Sequence, residues 1–276
     1  MAAMLQMGVI YYNLSSVEFN VNVISLALWP MCAYYFWLAY QNNKLKDWLL
    51  FGVLCGINLL NKYTAALLLF AIGVFILTDA KGRRQLLSYK IYLAAICCGL
   101  LLFPHIWWLA EHNFEMLNYI LMRNGGDNPD ALNGWWRHLF YPLKFFGGQI
   151  LFSLAALICF AVFYKKSEKE PLPEFYSAQS RFLLICGFLP MLIFMTISLI
   201  AGTPLKSMWG FPCQFLVGIS LLHFFPVKFA EEKANCLVWT METWSLLFAV
   251  VYGIQCLTTT SIRFRTDCPT TVKVLE

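Results

Sequence analysis

Charge is what this sequence has least of. Only 13% of its 276 residues are Asp, Glu, Lys or Arg, while 60% are hydrophobic. Soluble domains run at about 25% charged and about 45–50% apolar, so the excess is too large for a water-soluble core. Other absences narrow the classes further. There is no C-x-x-C pair and no Cys/His spacing of the zinc type, so the 10 cysteines, most of them inside apolar runs, read as small packing residues. The net charge of +5 forms no basic stripe, which excludes a nucleic-acid partner. There is no low-complexity tract, no repeat of the solenoid type and no inverted pair of halves. Met1–Tyr12 is apolar but has neither a basic n-region nor a small-residue cleavage site, so it is not a cleavable signal peptide.

What the sequence does have is long apolar runs. Val21–Tyr40, Ile91–Leu109, Phe145–Tyr164, Phe182–Ala201, Met208–Phe225 and Val238–Leu257 are each read as one membrane crossing. Trp48–Leu77 overshoots a hydrocarbon core of about 30 Å if it is one helix, and Asn61-Lys62 interrupts it; it reads as two short helices meeting at Lys62. The expectation is an all-α polytopic transmembrane helix bundle of about 7–8 membrane segments, forming one membrane domain over residues 1–276 with one larger extracytoplasmic loop. The chain is then an integral multi-pass protein of a bacterial inner membrane or its equivalent, with membrane lipid as its surroundings.

The Lys/Arg-rich loops set the orientation. Residues 41–47, 79–90, 165–181 and 226–235 carry Lys44, Lys46, Lys81, Arg83, Arg84, Lys165, Lys166, Lys169, Arg181 and Lys228 among others, and all fall on one side of the span map. The positive-inside rule makes that side cytoplasmic. The opposite face then collects residues 12–20, the Asn61-Lys62 break, the long loop over residues 110–144 and the Gly202–Ser207 turn. Scattered polar groups converging on one face are where a site is expected.

Lys62 is the sharpest of these. It is either a turn lysine that snorkels to the interface or a cation that holds an anionic lipid phosphate. Lys206, beside Trp209, is either an interfacial anchor or a second cation for the same phosphate. His112 and Glu111 follow the aromatic pair Trp107-Trp108, an interfacial belt, and could bind a sugar or work as acid or base. Arg123 and Arg137 in the long loop have the fork geometry that suits phosphate, although a solvated loop accounts for them equally. Glu18 is the acid nearest the first full span on this face; it is a candidate general base or a solvated acid at a helix start. No metal site is evident, although a divalent cation at the phosphate is compatible with the chemistry.

The stretch Lys46-Asp47-Trp48, Gly52, Gly56, Leu59-Leu60-Asn61-Lys62-Tyr63-Thr64-Ala65 resembles the dolichyl-phosphate-mannose–protein mannosyltransferase-like family, the family 39-like glycosyltransferases of GT-C fold. Pro104-His105-Ile106-Trp107…His112-Asn113-Phe114 is similar to that family's entry into its large outer loop. Gly148-Gln149 and Pro204-Leu205-Lys206…Trp209…Pro212 are similar to its later helices. The likeness covers roughly residues 10–225. It implies inverting transfer of a sugar from a polyprenyl-phosphate-linked donor to an extracytoplasmic lipid, glycan or protein. A carboxylate activates the acceptor hydroxyl and cations stabilise the leaving phosphate.

Two departures qualify that expectation. The family's N-terminal span and the first outer loop with its usual catalytic acid are not seen here, and Asn20-Val21-Asn22 stands where such proteins often have Asp. The sequence therefore reads as N-terminally truncated, as one part of a split enzyme whose partner supplies the missing segment, or as a degenerate member. A membrane transporter or flippase and a non-catalytic membrane subunit are the alternatives from other classes.

Overall fold

The protein is described by a computed structural model covering residues 1–13, 16, 19–115, 134–228 and 231–258. Among these, ten α-helices follow one another: α1 (Ala2–Met7), α2 (Val21–Asn42), α3 (Leu45–Asn61), α4 (Ala65–Thr78), α5 (Ala80–Gln85), α6 (Tyr89–Glu111), α7 (Trp136–Lys166), α8 (Ala178–Ala201), α9 (Val217–Phe224) and α10 (Glu231–Thr258). Five are long and apolar enough to cross a membrane: α2, α6, α7, α8 and α10. The all-α polytopic bundle is therefore borne out. The helix break is where the sequence put it, with α3 ending at Asn61 and α4 beginning at Ala65.

Two expectations about the spans are corrected. Met208–Phe225 is not one crossing helix: it is two 3-10 turns, Ser207–Gly210 and Pro212–Gln214, followed by the eight-residue α9. At 1.5 Å per residue α9 is about 12 Å long, well short of a bilayer. Gly210 and Pro212 break the helix, and polar side chains from elsewhere satisfy the backbone that it frees. Gln6 donates to the Gln214 carbonyl (2.7 Å) and accepts from the Gly218 amide (3.0 Å). Tyr11 donates to the Ser207 carbonyl (2.7 Å), while Ser153 donates to the Gln214 side chain at Oε1 (2.7 Å) and so fixes that residue rather than its backbone. Gln149 Nε2 donates to the Ser207 carbonyl (3.3 Å). Irregular backbone at membrane depth survives only when it is buried in protein with partners of this kind.

The second correction concerns α7. It begins at Trp136, nine residues before the expected Phe145, so the last part of the loop expected over residues 110–144 is helical. Pro142 lies inside α7; a helix that packs on neighbours and runs in lipid accommodates such a residue. The 31 residues of α7 make a rod of about 46 Å, longer than a hydrocarbon core of about 30 Å.

The core is aromatic. Phe36 of α2 is fully buried and meets Trp48, Phe51, Phe75 and Phe182 with ring centroids 5.4–6.2 Å apart. It thereby joins α2, α3, α4 and α8. α6 lies along α3, where Gly52 lets the two backbones touch. A smaller cluster of Leu5, Phe160, Phe163, Leu237 and Met241 ties α1 and α10 to α7.

One end of the bundle collects every basic loop. Lys81 donates to the Gln41 carbonyl (3.0 Å), Arg181 pairs with Asp79 (2.5 Å), and Lys169 forms a β-bridge with Val227. These contacts link residues 41–47, 79–90, 165–181 and 226–235 in series. Asp79 is the hub. It is buried, caps α5 through the Gly82 amide (2.8 Å) and accepts from the Tyr40 hydroxyl (2.8 Å). Burial raises its pKa, but the Gly82 amide, the Tyr40 hydroxyl and the Arg181 guanidinium outweigh that and hold the carboxyl below the usual range. A depressed carboxylate contributes stability that is present above its unfolded pKa and lost as pH falls through its folded one. Asp79→Ala leaves Tyr40 without its partner and uncaps α5; an expected loss of about 3 kcal/mol follows from hydrogen bonds to a charged group. Asp79→Asn keeps an acceptor for both donors and is expected to lose less than half as much. Thermal unfolding of the two variants in detergent at pH 7 checks this order, and equal losses would show that the hydrogen bonds are not what Asp79 supplies.

Candidate functional site

The opposite end of the bundle holds the polar convergence. α2 starts here because Asn20 caps it: its Oδ1 accepts from the Asn22 amide (2.9 Å) and from Asn22 Nδ2 (3.0 Å). That fixes Asn22 with its own Oδ1 pointing across to the α3–α4 break, where Lys62 Nζ donates to it (2.5 Å). The neighbouring Asn61 donates to the Val21 carbonyl (2.9 Å) and to Ser25 Oγ (3.0 Å). Three contacts thus pin the break to the first turn of α2. Asn22 Nδ2 also approaches Met208 Sδ (3.9 Å), which brings the turn carrying Lys206 to the same place.

Lys62 is half-buried, and among the described residues it belongs to no ion pair. Its recorded partner is an amide oxygen, which cannot neutralise it. Burial pushes its pKa down to about 8, opposed weakly by the nearby Cys213. One turn back on α3, Asn58 is fully buried and neither of its amide atoms has a partner among the described residues. Asn58 thus leaves an unsatisfied amide in the interior one turn before Lys62.

Beside the break, Tyr63 and His105 of α6 share a hydrogen bond (2.5 Å between hydroxyl and Nε2). His105 stacks on Trp108 (6.3 Å between centroids) and Trp108 on His112 (4.3 Å). His112 Nδ1 lies 2.8 Å from the Trp108 carbonyl. A ladder of rings runs from His112, exposed at the end of α6, down to the residue next to Lys62.

The sequence-derived candidates distribute as follows. Lys62 and Lys206 are drawn together through Asn22 and Met208, and the Lys206 side chain is exposed. Arg137, in the first turn of α7, lies against Gly202; a Cβ there would sit 2.7 Å from Arg137 Nε. Arg137 thus marks the far end of the Gly202–Ser207 segment rather than Lys62 itself. Gly202 takes φ +62 at the end of α8, a left-handed conformation that glycine adopts without strain. Glu18 and Arg123 lie outside the described residues. Among the described residues no group of three or more His, Cys, Asp or Glu gathers in a way that could hold a metal.

Asn22 and His105 stood in the sequence only as members of family-like stretches and were not singled out as site residues. His105 stands seven residues before His112, two helical turns along the same face, and that spacing is the signal that could have found it. For Asn22 the signal was its place in the first turn of a helix capped by Asn20.

Residues 1–108 match the family profile of the dolichyl-phosphate-mannose-protein mannosyltransferases. The match contains the Lys62 break, Asn22 and His105. The lipopolysaccharide core galacturonosyltransferase RgtA of Rhizobium johnstonii is 25% identical over 134 residues, 48% of this chain and 26% of that protein. The chain spans about a quarter of the length of this curated relative. No solved structure matches it. Over residues 1–108 the chain is thus similar to membrane glycosyltransferases of GT-C type, the likeness that the motifs around Lys62 implied, and its crossing helices agree with that likeness.

Proposed function

We propose that this end of the bundle binds the phosphate of a polyprenyl-phosphate-linked sugar and supports transfer of that sugar to an extracytoplasmic acceptor. The observation that carries the reading is Lys62: a cation built into a helix break, pinned by Asn22 and Asn61, with no carboxylate paired to it among the described residues. Asn22 belongs to the Asn20-Val21-Asn22 stretch, where the family that this chain resembles often has an Asp, and an amide leaves the ammonium charge unspent. Lys206, Arg123, Arg137 and His112 are the further groups proposed to face the donor, and Glu18 the proposed base. In the reaction the acceptor hydroxyl oxygen bonds to the anomeric carbon and gives its proton to the carboxylate. The bond from that carbon to the phosphate oxygen breaks, and polyprenyl phosphate leaves with one more negative charge than the donor carried. A divalent cation could share that charge, and a partner chain could supply the acidic loop.

Binding of polyprenyl monophosphate to the purified chain in lipid nanodiscs tests the reading directly, because it needs neither base nor acceptor. A phosphate monoester completes its second ionisation near pH 6, so between pH 7.5 and 9.5 only the protein changes charge. Lys62 is charged below about pH 8 and neutral above it. Affinity is therefore expected to fall above pH 8, approaching about tenfold per pH unit, and to stay flat in Lys62→Gln. Equal, pH-independent binding by both proteins would remove Lys62 from the site.

A further inference from the structure

Among the described residues α10 packs its apolar side chains on the rest of the bundle through Leu237, Met241 and Trp244, with Cys236 and Thr240 flanking them towards α7. Its opposite side carries Asn235, Trp239, Glu242, Leu246, Ala249 and Gly253, spaced four, three, four, three and four residues apart. That is the alternation of a helix seam that packs against one other helix at a shallow left-handed crossing. The first five of these are exposed, Trp239 by 69% and Leu246 by 66%. Gly253 has open space where a Cβ would be, so a neighbouring backbone can come close.

Glu242 decides what kind of neighbour this is. It lies seven residues into the crossing segment Asn235–Ile254, about 10 Å along the helix axis. A short carboxylate side chain does not reach water from there as a lysine would. Ionisable groups within a crossing helix face the bundle interior or a partner, not lipid. Among the described residues Glu242 has neither an ion pair nor a hydrogen bond donated to its carboxylate, and it is exposed. A second copy of the chain does not solve this, because two copies share one orientation in the membrane and a symmetric seam would set Glu242 against Glu242.

We propose that the Asn235–Gly253 face of α10 is an interface for a single transmembrane helix of a different polypeptide, which places a Lys or Arg side chain against Glu242. The small residues Ala249 and Gly253 set the close approach at one end of the seam, and the charge pair fixes its register at the other.

The test is a photoreactive amino acid at Leu246 in the chain expressed in its own membranes, with Leu151 on the exposed side of α7 as the control position. The expected product at 246 is an adduct with another polypeptide whose crosslinked segment is an apolar run containing Lys or Arg. Glu242→Leu is expected to lower its yield at least fivefold, and position 151 to give lipid adducts only. The isolated Glu242→Leu chain is expected to unfold at the same temperature as wild type or higher, since it removes an outward-facing charge. Lipid adducts alone at 246, a chain–chain adduct, a partner segment without Lys or Arg, or a yield indifferent to Glu242→Leu would each overturn the proposal. So would a lowered unfolding temperature, which would mean that Glu242 serves this chain's own fold.

Discussion

Lys62→Gln is expected to reduce sugar transfer at least 100-fold, measured in membranes where the wild-type chain supports it, with the loss falling mainly on kcat. The proposed donor is a phosphodiester with one negative charge, and the polyprenyl phosphate that would depart from it is a monoester that gains a second. A cation at the phosphate is thus worth more in the transition state than in the bound ground state, which is the condition for an effect on kcat rather than on KM. Removing one preorganised electrostatic contact from a partly desolvated site typically costs about 10²–10³ in rate. Lys62 meets both conditions, being half-buried and anchored to Asn22 at 2.5 Å. Stability should move the other way. Burial works against the charged lysine, so an uncharged side chain of similar length is expected to leave the unfolding temperature unchanged or higher. That opposition separates a functional lysine from a snorkelling one: a lysine that merely closes the turn would lose stability and keep turnover. Transfer within threefold of wild type would show that the phosphate is held elsewhere.

The features that were legible in the sequence are those that the bilayer imposes. Val21, Tyr89 and Ala178 begin helices within four residues of where the hydropathy of the chain begins to rise. The break at Lys62 was legible because a charged side chain is costly at the middle of a crossing helix, so an apolar run too long for one helix turns at its lysine. The clustering of four basic loops was legible for a different reason: loop charge follows the side of the membrane, and the contacts from Lys81 to Gln41, from Arg181 to Asp79 and from Lys169 to Val227 place those loops at one end. Met208–Phe225 was misread because hydropathy measures partition into lipid and is blind to hydrogen bonding. Its backbone is held by Gln6, Tyr11 and Gln149, residues up to 212 positions away, while Ser153 holds the Gln214 side chain. Glutamines inside apolar runs were the available sign. Each buries an amide that needs partners, and a straight lipid-facing helix has none to offer. At the site, Lys62 could be named from its own surroundings. Its contact with Asn22, 40 residues earlier, and the ladder from Tyr63 through His105 to His112 depend on how α2, α3 and α6 lie together.

How α3 and α6 lie together rests on Gly52, and the expected result for Gly52→Ala is a large loss of folded protein. A Cβ at this position would sit 2.2 Å from the Ala94 carbonyl oxygen and 2.7 Å from Ala94 Cα. Both are backbone atoms, so no rotamer relieves the clash and the two helices must separate by about 1 Å or more, since carbon and oxygen atoms rest at roughly 3.5 Å. Overpacking a flexible side chain costs about 1–3 kcal/mol; forcing apart two helices over a long shared face exceeds that, because the contacts of Gly56 with Leu101 and Cys98 open as well. Gly99, on α6 itself, is the matched control. Nothing lies within 4 Å of its added Cβ, and alanine is the better helix former by about 0.5–1 kcal/mol. Gly99→Ala is therefore expected to leave the unfolding temperature unchanged or to raise it by a few degrees. The single methyl group is the same in both variants, so helix propensity alone predicts that both stabilise, whereas the close approach predicts opposite signs. The consequence reaches the site, because Lys62 directly follows the end of α3 and α6 carries His105. Any Gly52→Ala protein that does fold is expected to bind polyprenyl monophosphate more weakly than wild type, and Gly99→Ala to bind it equally. If Gly52→Ala folds as stably as Gly99→Ala, the α3–α6 contact is looser than the structure shows, and the pairing of Tyr63 with His105 loses its support.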